Sequence, residues 1–161
     1  MHRERDPLLE LWKHGHDRTL ERIQRVAIGD EGKAALDAIG VELRSLAASI
    51  TTVLDPAFAR VSLAFDAQRL LEDCRVNLAF QQRALDALAG ALRSPRLRKL
   101  RALQLSDLVG MQAESYGARL LPILRSQLPR PLYRAVSAAF ATRHAPQTER
   151  STRRSAQRIA S

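Results

Sequence analysis

The chain is poor in the residues that several kinds of protein depend on. It has one cysteine, Cys74, which excludes an intramolecular disulfide framework and a CxxC zinc site and fits a reducing compartment such as the cytoplasm. Aromatic residues are 4% of the 161 residues, with one tryptophan, so leucine and alanine must build the core. Glycine is scarce, and the β-branched residues are scattered rather than alternating with polar ones, so strands have little support. No apolar run approaches the roughly 20 residues of a membrane-spanning helix. The opening Met1-His2-Arg3-Glu4-Arg5-Asp6-Pro7 has mixed charge and no apolar stretch after it, unlike a secretory signal. No HExxH, Glu-x-x-His, Gly-rich phosphate loop or G-x-S-x-G elbow occurs, so the expectation is a cytoplasmic protein without catalytic, metal or cofactor site, and not an enzyme.

What is present reads as helix. Asp6-Pro7 announces a first helix, an N-cap followed by proline at the first helical position, and Ile28-Gly29-Asp30-Glu31-Gly32 ends it. Leu36, Ile39, Leu43, Leu46, Ile50 and Val53 form a heptad seam on a second helix, which Asp55-Pro56 should stop at Leu54. A third helix is expected from about Ala57 to Arg93, roughly 37 residues and 55 Å long. Its stripe contains Leu63, Ala67, Leu70, Cys74, Leu78, Leu85, Leu88 and Leu92. Val61, Phe65, Val76 and Phe80 lie on another side, which needs a second neighbour from this chain or another copy. Ser94-Pro95 opens a fourth helix, antiparallel to the third, which places Leu78 opposite Met111. Pro122 should kink or end it, and Pro129-Arg130-Pro131 separates a last helix bearing Leu132, Val136 and Phe140. The fold class expected is all-α: an elongated antiparallel bundle of four to five helices over residues 1–142, followed by a disordered basic tail, 143–161.

Candidate chemistry is thin. His14 and His16 are two apart, a spacing that points helical side chains in different directions, so they read as solvent-facing imidazoles. Cys74 lies on the apolar stripe and reads as a packed thiol. Asn77, Gln81, Gln104 and Gln112 interrupt apolar faces, either as buried amides that set register or as residues of a wet boundary.

Charge is more informative. Residues 1–55 hold 8 basic and 10 acidic side chains, residues 56–92 hold 4 of each, and residues 93–161 hold 14 basic and 3 acidic, so the whole excess of +9 lies in the last part. Its densest cluster is Arg93, Arg96, Arg98, Lys99 and Arg101, at a helix start where the dipole disfavours cations by about 0.3–1 kcal/mol each. An anionic partner would relieve that cost. Arg150, Arg153, Arg154 and Arg158 extend the basic character into the tail. Nucleic acid, an acidic protein or a granule surface are the partner classes this implies. The missing aromatic residues argue against base-specific single-strand recognition, and no helix-turn-helix accompanies the cluster. Arginine supplies 23 of the 26 basic residues, a bias that genome composition would also produce.

The helix Phe65 to Leu92, the Ser94-Pro95 break, and Leu103-Gln104-Leu105-Ser106-Asp107-Leu108 with Gln112 and Glu114 beyond resemble phasins over roughly residues 65–114. Phasins are bacterial proteins whose amphipathic helices coat polyhydroxyalkanoate granules and often oligomerise. The apolar stripes read as those of a non-enzymatic interaction protein that associates with itself or with a protein partner, and the resemblance implies coating of a granule as one version of that role. The alternative is a nucleic-acid accessory protein gripping phosphates through the Arg-rich portion.

Overall fold

The computed structural model describes residues 5–144, so the segment expected as a tail lies outside the described residues from 145 onward. Helix α1 (Pro7–Ala27) starts at the expected cap. Asp6 Oδ1 accepts from the Leu9 N–H at 3.2 Å, and Pro7 fills a position whose N–H would have no partner. Beyond its end Gly29 adopts φ 87°, a left-handed conformation that glycine enters without a Cβ penalty. Helix α2 (Lys33–Ser49) runs on through a π-helical segment, Ile50–Leu54, into the short α3 (Asp55–Phe58). Helix α4 (Phe65–Ala89) and helix α5 (Pro95–Gly110) form a hairpin, with Ser94 Oγ accepting from the Leu97 N–H. Helix α5 continues through a second π-helical segment, Met111–Gly117, into α6 (Ala118–Gln127), and α7 (Arg130–His144) follows.

These pieces make five rods among the described residues. Helices α1, α2, α4 and α5 form a ring in which α1 packs on α2 and α5, and α4 packs on α2 and α5. Short connections make neighbours antiparallel, the up-down-up-down arrangement of a helical bundle. Helix α7 lies against α1 and the Ile50–Leu54 segment. The fold is thus the all-α antiparallel bundle that the periodicities imply. No described helix is long and apolar enough to cross a membrane.

Three boundaries differ from expectation. Asp55-Pro56 does not stop the second rod, because the Asp55 N–H reaches back five residues to the Ile50 carbonyl. This wider turn carries the chain past a proline that lacks its own N–H. The helix expected over 57–93 is broken at 59–64, where the chain turns after the buried Phe58, leaving α4 with 25 residues, about 37 Å. Pro122 lies inside α6 and does not end it. Met111, expected opposite Leu78, is exposed, and Val109 and Gln112 take the inward positions.

The core has two parts. One joins Trp12, Leu46, Leu54, Cys74, Leu121 and Phe140; the other joins Ile23, Leu36, Ile39, Leu85, Leu88 and Leu105. Leu78, half-buried, packs against both.

Candidate functional site

The cluster singled out in the sequence gathers at the α4–α5 turn, but its members have different tasks. Arg98 folds inward, donating from Nη1 to the Leu92 carbonyl at 3.1 Å and from Nε to the Ala27 carbonyl at 3.5 Å. Its guanidinium packs so near Gly29 that a Cβ there would lie 3.0 Å from Nη2. A cation on the last carbonyls of α1 is favourable for the helix dipole, so Arg98 ties the α1 end to the hairpin. Arg101 is half-buried and donates to Gln104 Oε1 at 3.0 Å. Arg93, Arg96 and Lys99 are exposed and form no ion pair among the described residues. Arg150, Arg153, Arg154 and Arg158 lie outside the described residues.

Around these free cations the surface is apolar. Helix α5 buries Ala102, Leu105 and Val109, yet its other side presents Leu97, Leu100 and Leu103 at 47, 48 and 59% exposure. A surface helix with one neighbour side ordinarily carries one apolar stripe; this one carries leucine on both. Val76 and Phe80, one turn apart on the adjoining α4, are also exposed, and the Arg83 guanidinium lies 5.8 Å from the Phe80 ring centre. The second apolar side of α4 therefore finds no cover among the described residues. Cations and leucines alternate on the same outward surface.

A second constellation lies inside the bundle, and it overturns the reading of His16 as solvent-facing. The inward stripe of α1 is Leu8, Trp12, His16, Thr19, Ile23 and Val26, so the imidazole falls at a core position between Trp12 and Ile23. The signal was the spacing 12, 16, 19, 23, which outranks polarity as a guide to facing. His16 Nδ1 lies 2.7 Å from the Trp12 carbonyl, and its ring centre lies 4.6 Å from that of Trp12. Burial lowers its pKa, against a raising hydrogen bond to Trp12 and the charges of Asp17 and Glu114. Trp12 itself donates from Nε1 to the Ala113 carbonyl at 3.3 Å and sits where a Gly117 side chain would stand.

Other polar groups share this level of the bundle. Gln81 donates to Asn77 Oδ1 at 2.6 Å, and Asn77 donates to the Leu108 carbonyl at 3.1 Å, joining α4 to α5. Gln112 is wholly buried, with both amide atoms unpartnered, whereas Gln104 is exposed. Three of the four amides are thus core groups. Ser49 Oγ and His144 Nε2 lie 2.6 Å apart, a pair the sequence reading missed because 95 positions separate them. Ser49 is fully buried, and the pair ties α7 to α2. Cys74 is buried, and desolvation, with a smaller effect of Asp73, pushes its thiol up to about 12, as a packed neutral thiol requires. No group of three metal-ligating side chains occurs among the described residues.

Fold and surface together define an all-α bundle with a cationic, leucine-bearing outer helix. No protein-family model matches the chain, nor does any characterised protein or solved structure.

Proposed function

We propose that the protein is a non-enzymatic helical interaction protein that docks the outward face of α5, with the adjoining side of α4, on an anionic surface with an apolar interior. A lipid-coated granule, the kind of surface the phasin resemblance implies, is such a surface. The observation that carries this reading is the pairing of Leu97, Leu100 and Leu103 with the exposed Arg93, Arg96 and Lys99. An interfacial layer takes leucine into its apolar part while arginine and lysine reach anionic headgroups. Nucleic acid would pair the cations and leave the leucines in water. A second copy docking through the same face would bring like charges together. Covering three half-exposed leucines is worth about 3 kcal/mol. Each cation near an anionic lipid surface adds about 1 kcal/mol, so docking is reversible and salt-sensitive.

Flotation of the full-length protein with vesicles tests this. Vesicles containing phosphatidylglycerol should carry the protein at low salt, those of phosphatidylcholine alone much less, and the Leu100→Glu, Leu103→Glu double variant should lose at least tenfold in binding while keeping its helical circular dichroism. Unchanged flotation of that variant, or none for the wild type, overturns the reading. Filter retention of DNA or RNA that survives the double variant would replace it with phosphate binding. A dimer in light scattering that the double variant abolishes would replace it with self-association.

A further inference from the structure

Helices α2 and α4 pack side by side, yet an open groove of about 370 Å³ runs between them, within the size range of small-molecule sites. Leu43, Ala47 and Ile50 line it from the second rod, and Leu78 and Ala79 line it from α4. Both alanines are exposed, so the slot stays open where larger side chains would interlock and close it. The polar edges are already engaged. The Thr51 hydroxyl donates to the Ala47 carbonyl at 3.2 Å, and Gln82 Nε2 donates to Asp86 Oδ1 at 3.4 Å.

An arginine stands at each end. The Gly40 position lies against Leu85, and Asp55 pairs with Arg75, a register that runs the two rods antiparallel and puts Arg44 beside Gln82 at one end of the groove and Arg75 beside Thr51 at the other. Arg75 is occupied, with Nη2 on Asp55 and Nη1 on Glu72. Arg44 is exposed and forms no ion pair among the described residues. Its guanidinium bends back over Gly40, where a Cβ would stand 3.4 Å from Nη1. From Arg75 to Gln82 the helix rises about 11 Å, the length of an extended chain of about eight carbons.

We propose that this groove binds a medium-chain aliphatic carboxylate, with its alkyl chain over Ala47 and Ala79 and its carboxylate on the Arg44 guanidinium. Charge complementarity selects the head group. Arg44 is the groove's one cation without an acidic partner among the described residues, and a single planar guanidinium matches a carboxylate through two parallel hydrogen bonds. A phosphate monoester, with nearly two charges, would call for a second cation, and two carboxylates already neutralise Arg75. The five apolar side chains select the tail, which gains by leaving water. The occupant is a free molecule rather than the layered surface proposed for α5, and the inference does not rest on that reading.

Octanoate is the probe, titrated below its micelle concentration into the full-length protein with labelled methyl groups. The expected result is a saturable shift of the Ala47, Ile50, Leu78 and Ala79 methyls. Butyrate, four methylenes shorter, should bind at least tenfold weaker, and octylammonium, with the same chain and the opposite charge, should also lose at least tenfold. Arg44→Met keeps the aliphatic stem and should weaken octanoate at least tenfold. Ala79→Phe fills the slot and should abolish the shift in a protein that keeps its helical circular dichroism; if it fails to fold, the Arg44→Met arm decides alone. No saturable shift with octanoate, equal binding of octanoate and octylammonium, or Arg44→Met without effect would each show apolar adsorption at most and overturn the proposal.

Discussion

His16 shows how one side chain changes meaning with its place on a helix. By composition it is a polar residue in a charged stretch; by phase it is a core residue between Trp12 and Ile23. Its burial has a consequence for pH. The native pKa lies below the unfolded value of 6.5, with desolvation the largest cause and Asp17 and Glu114 acting in the opposite direction. Below about pH 6.5 the unfolded chain binds a proton that the native ring refuses, so stability is flat above that pH and falls below it. Arg18 and Glu42, which share a pocket lining with His16, carry opposite charges, and desolvation sets the direction. Urea midpoints measured at pH 7.5 and 5.5 should drop for the wild type and drop less for His16→Gln, the difference between the two proteins isolating this ring from the carboxylates. Equal drops would show that the imidazole does not resist protonation.

At the scale of elements, the π-helical segments explain which parts of the fold were legible in the sequence. Helix starts were: Asp6-Pro7 and Ser94-Pro95 carry their caps in the text, and both open helices where they stand. The stripe of α4 was also legible, with Ala67, Cys74, Leu85 and Leu88 all buried. The wide turns were not, because an i to i+5 turn has no residue signature and merely admits one extra residue. That residue shifts the phase. Along the second rod the seam 36, 39, 43, 46, 50 holds, but the next inward residue is Leu54 at 3% exposure, not Val53. In the fourth rod, α5 to α6, Gln112 and Ala113 are both buried, after which Gly117, Leu120, Leu121 and Leu124 follow on the new phase. Position 117 then has to be glycine, since a Cβ there would lie 2.0 Å from Trp12 Nε1. The loop at 59–64 was illegible for another reason, since no glycine or proline marks it. The phase shift makes a sharp prediction. Leu54→Ala should cost about 2–5 kcal/mol and Val53→Ala under about 1, whereas an unbroken heptad would reverse that order in urea denaturation.

At the scale of the described molecule, His16, Thr19, Asn77, Gln81 and Gln112 fall between the two parts of the core, whereas the buried Ser49 and Ser137 lie within one of them. Trp12 and Leu46 belong to one apolar cluster, and Ile23, Ile39 and Leu85 belong to the other. Between them in sequence fall His16 and Thr19 on α1, with Asn77 and Gln81 between Cys74 and Leu85 on α4. On the fourth rod Gln112 likewise falls between Val109 of one cluster and Leu120 of the other. Polar layers hold fewer apolar contacts than the clusters they divide, and the bundle should therefore open in two steps. The half containing the α4–α5 turn carries the exposed leucines and cations of α5, and the half containing α7 carries the ties from Tyr133 to Asp6 and from His144 to Ser49. Leu88→Ala removes a fully buried side chain from the first half, at a cost of about 2–5 kcal/mol. Native-state hydrogen exchange should then accelerate in the second half of α1, the first half of α2, the second half of α4 and most of α5, while amides of α6 and α7 keep their wild-type rates. A uniform acceleration across all rods would show instead that the polar layer transmits unfolding and that the two clusters act as one.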